Sequence, residues 1–214
     1  MADYFLVLDA GLFTEQLVPA LAAAWRQRSF APCRDICTAL LPAARVYAER
    51  YHLGTDEPLL NQVLTGMSFE RSFWRALAGE LMLYAAAEIP EFQTCEETLL
   101  RLLNAHDDPS QPRPELPPVV QAHRGSRDLA FGAAVYRPDH AGFNSRDDVG
   151  RLAQYLATIR PHEWRAADLA GLDGMNAEDA DDEIEFAREW FPVLADLFRR
   201  VREGGQVLVH ERMY

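Results

Sequence analysis

The 214-residue chain carries 33 acidic residues against 21 basic ones, a formal charge of −12, and its 49% apolar content is ample for a core. Every basic residue is arginine. The absence of lysine excludes a pyridoxal-phosphate Schiff base, a lysine nucleophile, the lysine-bearing phosphate loop and a kinase's phosphate-pairing lysine, while the acidic balance argues against nucleic acid and anionic membranes.

The longest mainly apolar runs, "YFLVL" at 4–8 and "LMLYAAA" at 81–87, fall far short of the ~20 residues that a bilayer requires. No membrane span is expected. The opening "MADYFLVLDAG" lacks the basic region that precedes a secretory core, and the three cysteines are an odd number, so a reducing cytoplasm is expected.

Residues 4–8, aromatic and branched and bounded by Asp9 and Gly11, predict a buried strand. Thr14 is expected to cap a helix to Arg28, with Pro19 in its first turn. A second helical region covers 34–52, kinked or divided by Pro42, and a short helix opens at Asp56 and Pro58 and ends at Gly66. From Ser68 a strong helix is expected to turn Phe69, Phe73, Leu77, Leu81 and Tyr84 inward, and Thr94 with Glu97 reads as a capping box. Residues 105–118, "AHDDPSQPRPELPP", hold five prolines and predict a semi-rigid extended connector, free of helix.

Beyond the connector, 129–136 reads as a second strand and "RPDHAGFNS" as an irregular loop. Ser145 with Asp148 resembles a capping box for a helix that turns Val149, Leu152, Leu156 and Ile159 inward. Pro161 starts a short helical piece with Trp164 and Leu169. A long helix follows over about 178–203, with Ile184, Ala187, Trp190 or Phe191, Leu194, Leu197 or Phe198 and Val201 recurring every three to four residues; Gly204-Gly205 stops it, and 206–210 reads as a closing strand.

The stretch "DGMNAEDADDEIEF" at 173–186 holds seven carboxylates and no base. Three readings stand beside one another. As the start of the long helix, the acids complement its dipole, and Arg199, Arg200 and Arg202 do the same at the other end. As a metal site, Asp173, Asn176 and Glu178 supply hard oxygen ligands beside Gly174, with His140 and His162 as further ligands, although the EF-hand spacing is not met. As a partner face, Asp173, Glu178, Asp179, Asp181, Asp182 and Glu185 would meet an arginine-rich surface.

Cys33 and Cys37 in "CRDIC" share a helix face and read as small buried residues, since a zinc ribbon needs a second pair. No H-E-x-x-H, G-x-S-x-G or G-x-G-x-x-G occurs.

The order "SRDDVGRLAQYLATI", an acidic connector with Asp173 and Met175, then "FAREWFPVLADLFRRVREGGQVLVHE" resembles the YfbM-like family of uncharacterised bacterial proteins. "YFLVLDAGLFTEQL" is similar to that family's opening strand and helix. The resemblance covers about half the chain, and its middle helices and connector depart from the pattern. It implies a small α+β domain and brings no activity with it.

The reading is therefore one α+β domain over 1–214, in which a helix-rich N-terminal half joins through 105–118 to an α/β C-terminal half. A small sheet from strands near 4–8, 129–136 and 206–210 packs against several helices. The expected function is a cytoplasmic bacterial binding protein, of inhibitory or immunity type, that uses its acidic face on a protein partner and needs no cofactor. The alternative is an enzyme whose site, built from distant residues such as His140, His162 and Asp173, holds a divalent ion. The oligomeric state stays open.

Overall fold

The computed structural model describes residues 2–50, 59–90, 96–108, 110–136, 141–170 and 177–213, and of residues 2–4, 50, 177–178 and 211–213 the backbone alone. Strand β1 (Ala2–Leu8) leads through a π-helical stretch, Leu12–Leu17, into α1 (Val18–Gln27). Helices α2 (Arg34–Arg50), α3 (Leu59–Leu64), α4 (Arg71–Ala85), α5 (Glu96–Leu102) and α6 (Pro118–Arg124) follow. Four short strands come next, β2 (Arg127–Asp128), β3 (Ala130–Phe131), β4 (Ala134–Val135) and β5 (Ala141–Asn144). Helices α7 (Arg146–Leu156) and α8 (Ala177–Glu203) and strand β6 (Val207–Met213) complete an α+β fold. Among the described residues no helix is long and apolar enough to cross a membrane.

The chain forms two compact units, one of Met1–Phe5, Pro90–Asp128 and Asp139–Tyr214, the other of Leu6–Ile89 and Leu129–Pro138. The proline-rich segment lies inside the first unit. It is not free of helix as expected: Arg113–Glu115 make a 3₁₀ turn and α6 begins at Pro118. Proline at a first helical position loses an N–H that would have had no partner anyway, so the ring there favours the helix.

The strand order of the larger sheet is β1-β6-β5-β2. Strand β5 runs antiparallel to β6, with Asn144 opposite Leu208, and antiparallel to β2, with Arg127 opposite Phe143. This strand corrects the irregular loop expected there, because four residues containing Gly and Asn carry no strand signal until β6 pairs with them. Ser145 accepts from the Asp148 N–H and the Asp148 carboxylate accepts in return, so the expected capping box starts α7, which buries Val149, Leu152 and Leu156. Helix α8 buries Ile184, Ala187, Phe191, Leu194, Phe198 and Val201 at the spacing read from the sequence. Thr94 of the other proposed box lies outside the described residues.

The second unit packs α1 to α4 around Trp74, which is fully buried and donates its indole N–H to the Leu21 carbonyl at 3.0 Å. The expected second strand is instead a hairpin: Ala130 pairs with Val135 and Phe131 with Ala134 across a turn at Gly132-Ala133. The Phe131 ring meets Trp74 edge-on at 5.7 Å. Helix α4 is rotated from the expected stripe: it buries Trp74, Leu77, Ala78, Leu81 and Met82 and leaves Phe73 38% exposed. Thr14 does not cap the first helix, since Asp9 Oδ1 accepts from the Leu12 N–H at 2.7 Å while Thr14 bonds back to the Ala10 carbonyl. Pro42 sits inside α2 without dividing it.

Gly142 on β5 has no room for a side chain: a Cβ would lie 2.1 Å from the Arg124 carbonyl oxygen and 3.0 Å from that of Arg127. Backbone atoms cannot step aside as a flexible side chain can. Gly142→Ala is expected to destabilise the protein by about 1–3 kcal/mol, the usual cost of overpacking, read as a lowered urea midpoint.

Candidate functional site

The carboxylates read from the sequence fall on α8 where that helix is described. Asp179, Asp181, Asp182, Glu185 and Glu189 are exposed. Asp181, Glu185 and Glu189 follow one another at four-residue steps and so line one stripe. Glu183 is different, because it is half-buried and its carboxylate accepts from the Thr98 hydroxyl. Beside the stripe stand two half-exposed rings, Phe186 and Trp190, in tilted contact at 6.2 Å, and Val193 follows at 39% exposure. The acids are legible in the sequence, whereas Phe186 and Trp190 only border the buried face at helical spacing.

At the far end of α8 two of the three arginines are paired locally. Arg199 pairs with Asp196 and with Glu203 at 2.9 Å, and Arg200 pairs with Asp196 at 3.0 Å. The hydrogen bonds from Arg199 and Arg200 lower the pKa of Asp196. The stripe at 181–189 thus stays the strongly negative part of the helix.

Of the metal set, Asp173, Asn176 and His140 lie outside the described residues, and Glu178 is described by its backbone alone. His162 stands on an exposed 3₁₀ turn with Glu163 Oε1 3.8 Å from its Nε2. Among the described residues no group of three or more His, Cys, Asp or Glu could hold a metal ion.

A second constellation has no sequence motif. Around β5 and the loop after α6, Gln121, Ser126 and Asn144 are all at least 97% buried. Asn144 Oδ1 accepts from the Ser126 N–H at 2.8 Å and faces the Ser126 hydroxyl at 2.7 Å, and its amide donates to the Gln121 carbonyl at 3.1 Å. A backbone N–H can only donate, so the amide orientation of Asn144 is fixed. Gln121 donates to the Pro114 carbonyl at 3.1 Å, while Arg151 reaches Gln121 Oε1 and the Ser126 hydroxyl. Arg113 clamps the rim, donating to Asp128 at 2.7 Å and to the Ala141 carbonyl at 3.0 Å. Arg124 pairs with the buried Glu96 at 2.7 Å and with Asp107. These partners of Ser126 are two amides and a guanidinium, and none of them can take its proton. The cluster positions chain segments; its serine is not an activated nucleophile.

Two buried thiols close the list of chemical groups. Burial first, then the neighbouring Cys37, pushes the Cys33 pKa up to about 12, and burial with the nearby Glu80 charge raises Cys37 to about 12 as well. Both stay protonated and weakly reactive at neutral pH, in keeping with their reading as small core residues.

Against protein-family models, curated proteins and solved structures, the chain has no match.

Asp148 supplies a pH test of the polar cluster. Burial raises its pKa, but the hydrogen bonds from Arg127 at 2.6 Å and Ser145 outweigh this and leave it lowered. A lowered carboxylate stabilises the fold above its ordinary pKa, and that contribution is lost as pH falls through the folded value. Urea midpoints across acid pH should therefore fall less steeply in Asp148→Asn than in the wild type. Parallel acid limbs would contradict the assignment.

Proposed function

We propose that the protein works by binding a protein partner through the outer face of α8, where Asp181, Asp182, Glu185 and Glu189 flank Phe186 and Trp190. The observation that carries this reading is the combination: exposed carboxylates beside two half-exposed aromatic rings, with the one base among them, the half-buried Arg188, turned to the Pro161 and Trp164 carbonyls. Aromatic side chains give contact area at low entropic cost, and a rim of one charge selects and steers an oppositely charged partner. The partner chemistry is an arginine- or lysine-rich surface with an apolar centre, which fits an inhibitory or immunity-type role. Two free buried thiols and the resemblance to a bacterial family support a bacterial cytoplasm as the compartment.

A fluorescent arginine-rich peptide with one tryptophan is the direct probe. It should bind at low salt and weaken as salt rises. Glu185→Arg with Glu189→Arg should weaken it at least tenfold, about 1.4 kcal/mol. The same charge change at the exposed Glu15 and Glu49 should weaken it much less. Equal losses in the two variants would reduce the binding to net charge and contradict a defined face.

A further inference from the structure

In the first unit Arg113, Arg124, Arg127, Arg151, Arg199 and Arg200 each meet a carboxylate. In the second unit Arg28 and Arg71 rest on an aromatic platform instead. The Arg28 guanidinium stands 4.6 Å from the Trp25 ring centre and 5.5 Å from that of Phe69, and Arg71 stands 5.4 Å from Trp25. Trp25 meets Phe69 edge-on at 6.4 Å, and Phe69 rests on the buried Phe30 at 5.2 Å.

Among the described residues, neither Arg28 nor Arg71 has a carboxylate partner, nor has Arg75 one turn further along α4. All three are exposed. Contact with a ring uses the face of a guanidinium and leaves the N–H donors at its edge for an incoming carboxylate. Arg28 is also held by its backbone, left-handed at φ 52° where it ends α1. The platform is thus a fixed cationic surface with an aromatic floor, on a chain whose overall charge is −12.

We infer that this platform receives the acidic, aromatic face of α8 from a second copy of the same chain, so that the protein associates head to tail. The inference rests on the reading of α8 given above and names its partner. Charge complementarity carries the choice of occupant. Glu185 and Glu189 stand one helical turn apart, as do Arg71 and Arg75, so acids and arginines present the same ~5–6 Å repeat. Phe186 and Trp190 supply rings for the Trp25–Phe69 floor. The two patches differ, so the contact is heterologous, and a pair keeps an α8 face on one copy and a platform on the other for further neighbours.

The test is the mass of the intact chain in solution, by sedimentation equilibrium up to roughly 100 μM, a range in which a modest contact is populated. The wild type should rise above the mass of one chain as concentration grows. Arg28→Glu with Arg71→Glu should stay at one chain, and so should Glu185→Arg with Glu189→Arg. An equimolar mixture of the two variants should rise above one chain again, because each retains the patch that the other lacks. Such rescue also shows that both variants are folded.

A wild type that stays at one chain throughout overturns the inference. If it still binds the arginine-rich peptide, the α8 reading stands alone; if it does not, both fall. Variants that associate as the wild type does, or a mixture of natively folded variants that stays at one chain, overturn it too. A wild type of one chain that binds a single-stranded oligonucleotide, and loses it with the Arg28 and Arg71 changes, assigns the platform to nucleic acid instead.

Discussion

A buried asparagine amide must find hydrogen-bond partners inside the protein, at a cost of about 1–3 kcal/mol for each group left without one, and Asn144 meets that demand from one loop and one helix. Its oxygen accepts from the Ser126 N–H and its amide N–H donates to the Gln121 carbonyl. These two contacts set the approach of α6 to β5. The close approach then requires Gly142, where a Cβ would strike the Arg124 carbonyl, and Gly125, whose φ of +84° turns the chain out of α6. It also explains why Arg113 can donate to both Asp128 and the Ala141 carbonyl: the segments are already within its reach. Strand β5, too short to persist alone, is held from one side by this cluster and from the other by β6.

Charge in this chain is sorted rather than spread. Around the polar cluster each guanidinium is matched to a carboxylate, as Asp148 is to Arg127 and Glu96 to Arg124. Such pairs specify geometry more than they add stability, since desolvation offsets much of the attraction. Among the described residues, Asp181, Asp182, Glu185 and Glu189 of α8 and the cations over Trp25 have no ion-pair partner. Unmatched charge at the surface costs the fold little and is available to an incoming surface of opposite sign.

What the sequence revealed follows the range of the forces involved. The Ser145–Asp148 box and the buried stripe of α8 were legible because partners three or four residues apart determine them. The acidic stripe was legible for the same reason. Strand β5 was not, because its partner β6 lies more than sixty residues away. The run at 129–136 read as one strand because its apolar length says nothing of the turn at Gly132-Ala133. Helix α6 hid behind its own prolines, although Pro118 occupies the one place in a helix that favours it. Gln121, Ser126 and Asn144 are ordinary polar residues in no recognisable spacing, and only the fold shows that they meet. Trp25 and Arg28 come from the end of α1, Phe69 and Arg71 from the segment before α4 and its first residue, and tertiary packing alone brings them together.

Amide hydrogen exchange at Ser126 tests most directly whether the Asn144 cluster locks its segments together. Its N–H bonds to a side chain in a loop, and loop amides ordinarily exchange through small local openings. The account predicts that Ser126 exchanges only with the opening that also releases the Leu152 and Leu156 amides of α7, and with the same free energy. Exchange of Ser126 orders of magnitude faster than those helix amides would show that the cluster opens by itself, and would contradict the claim that it fixes the fold.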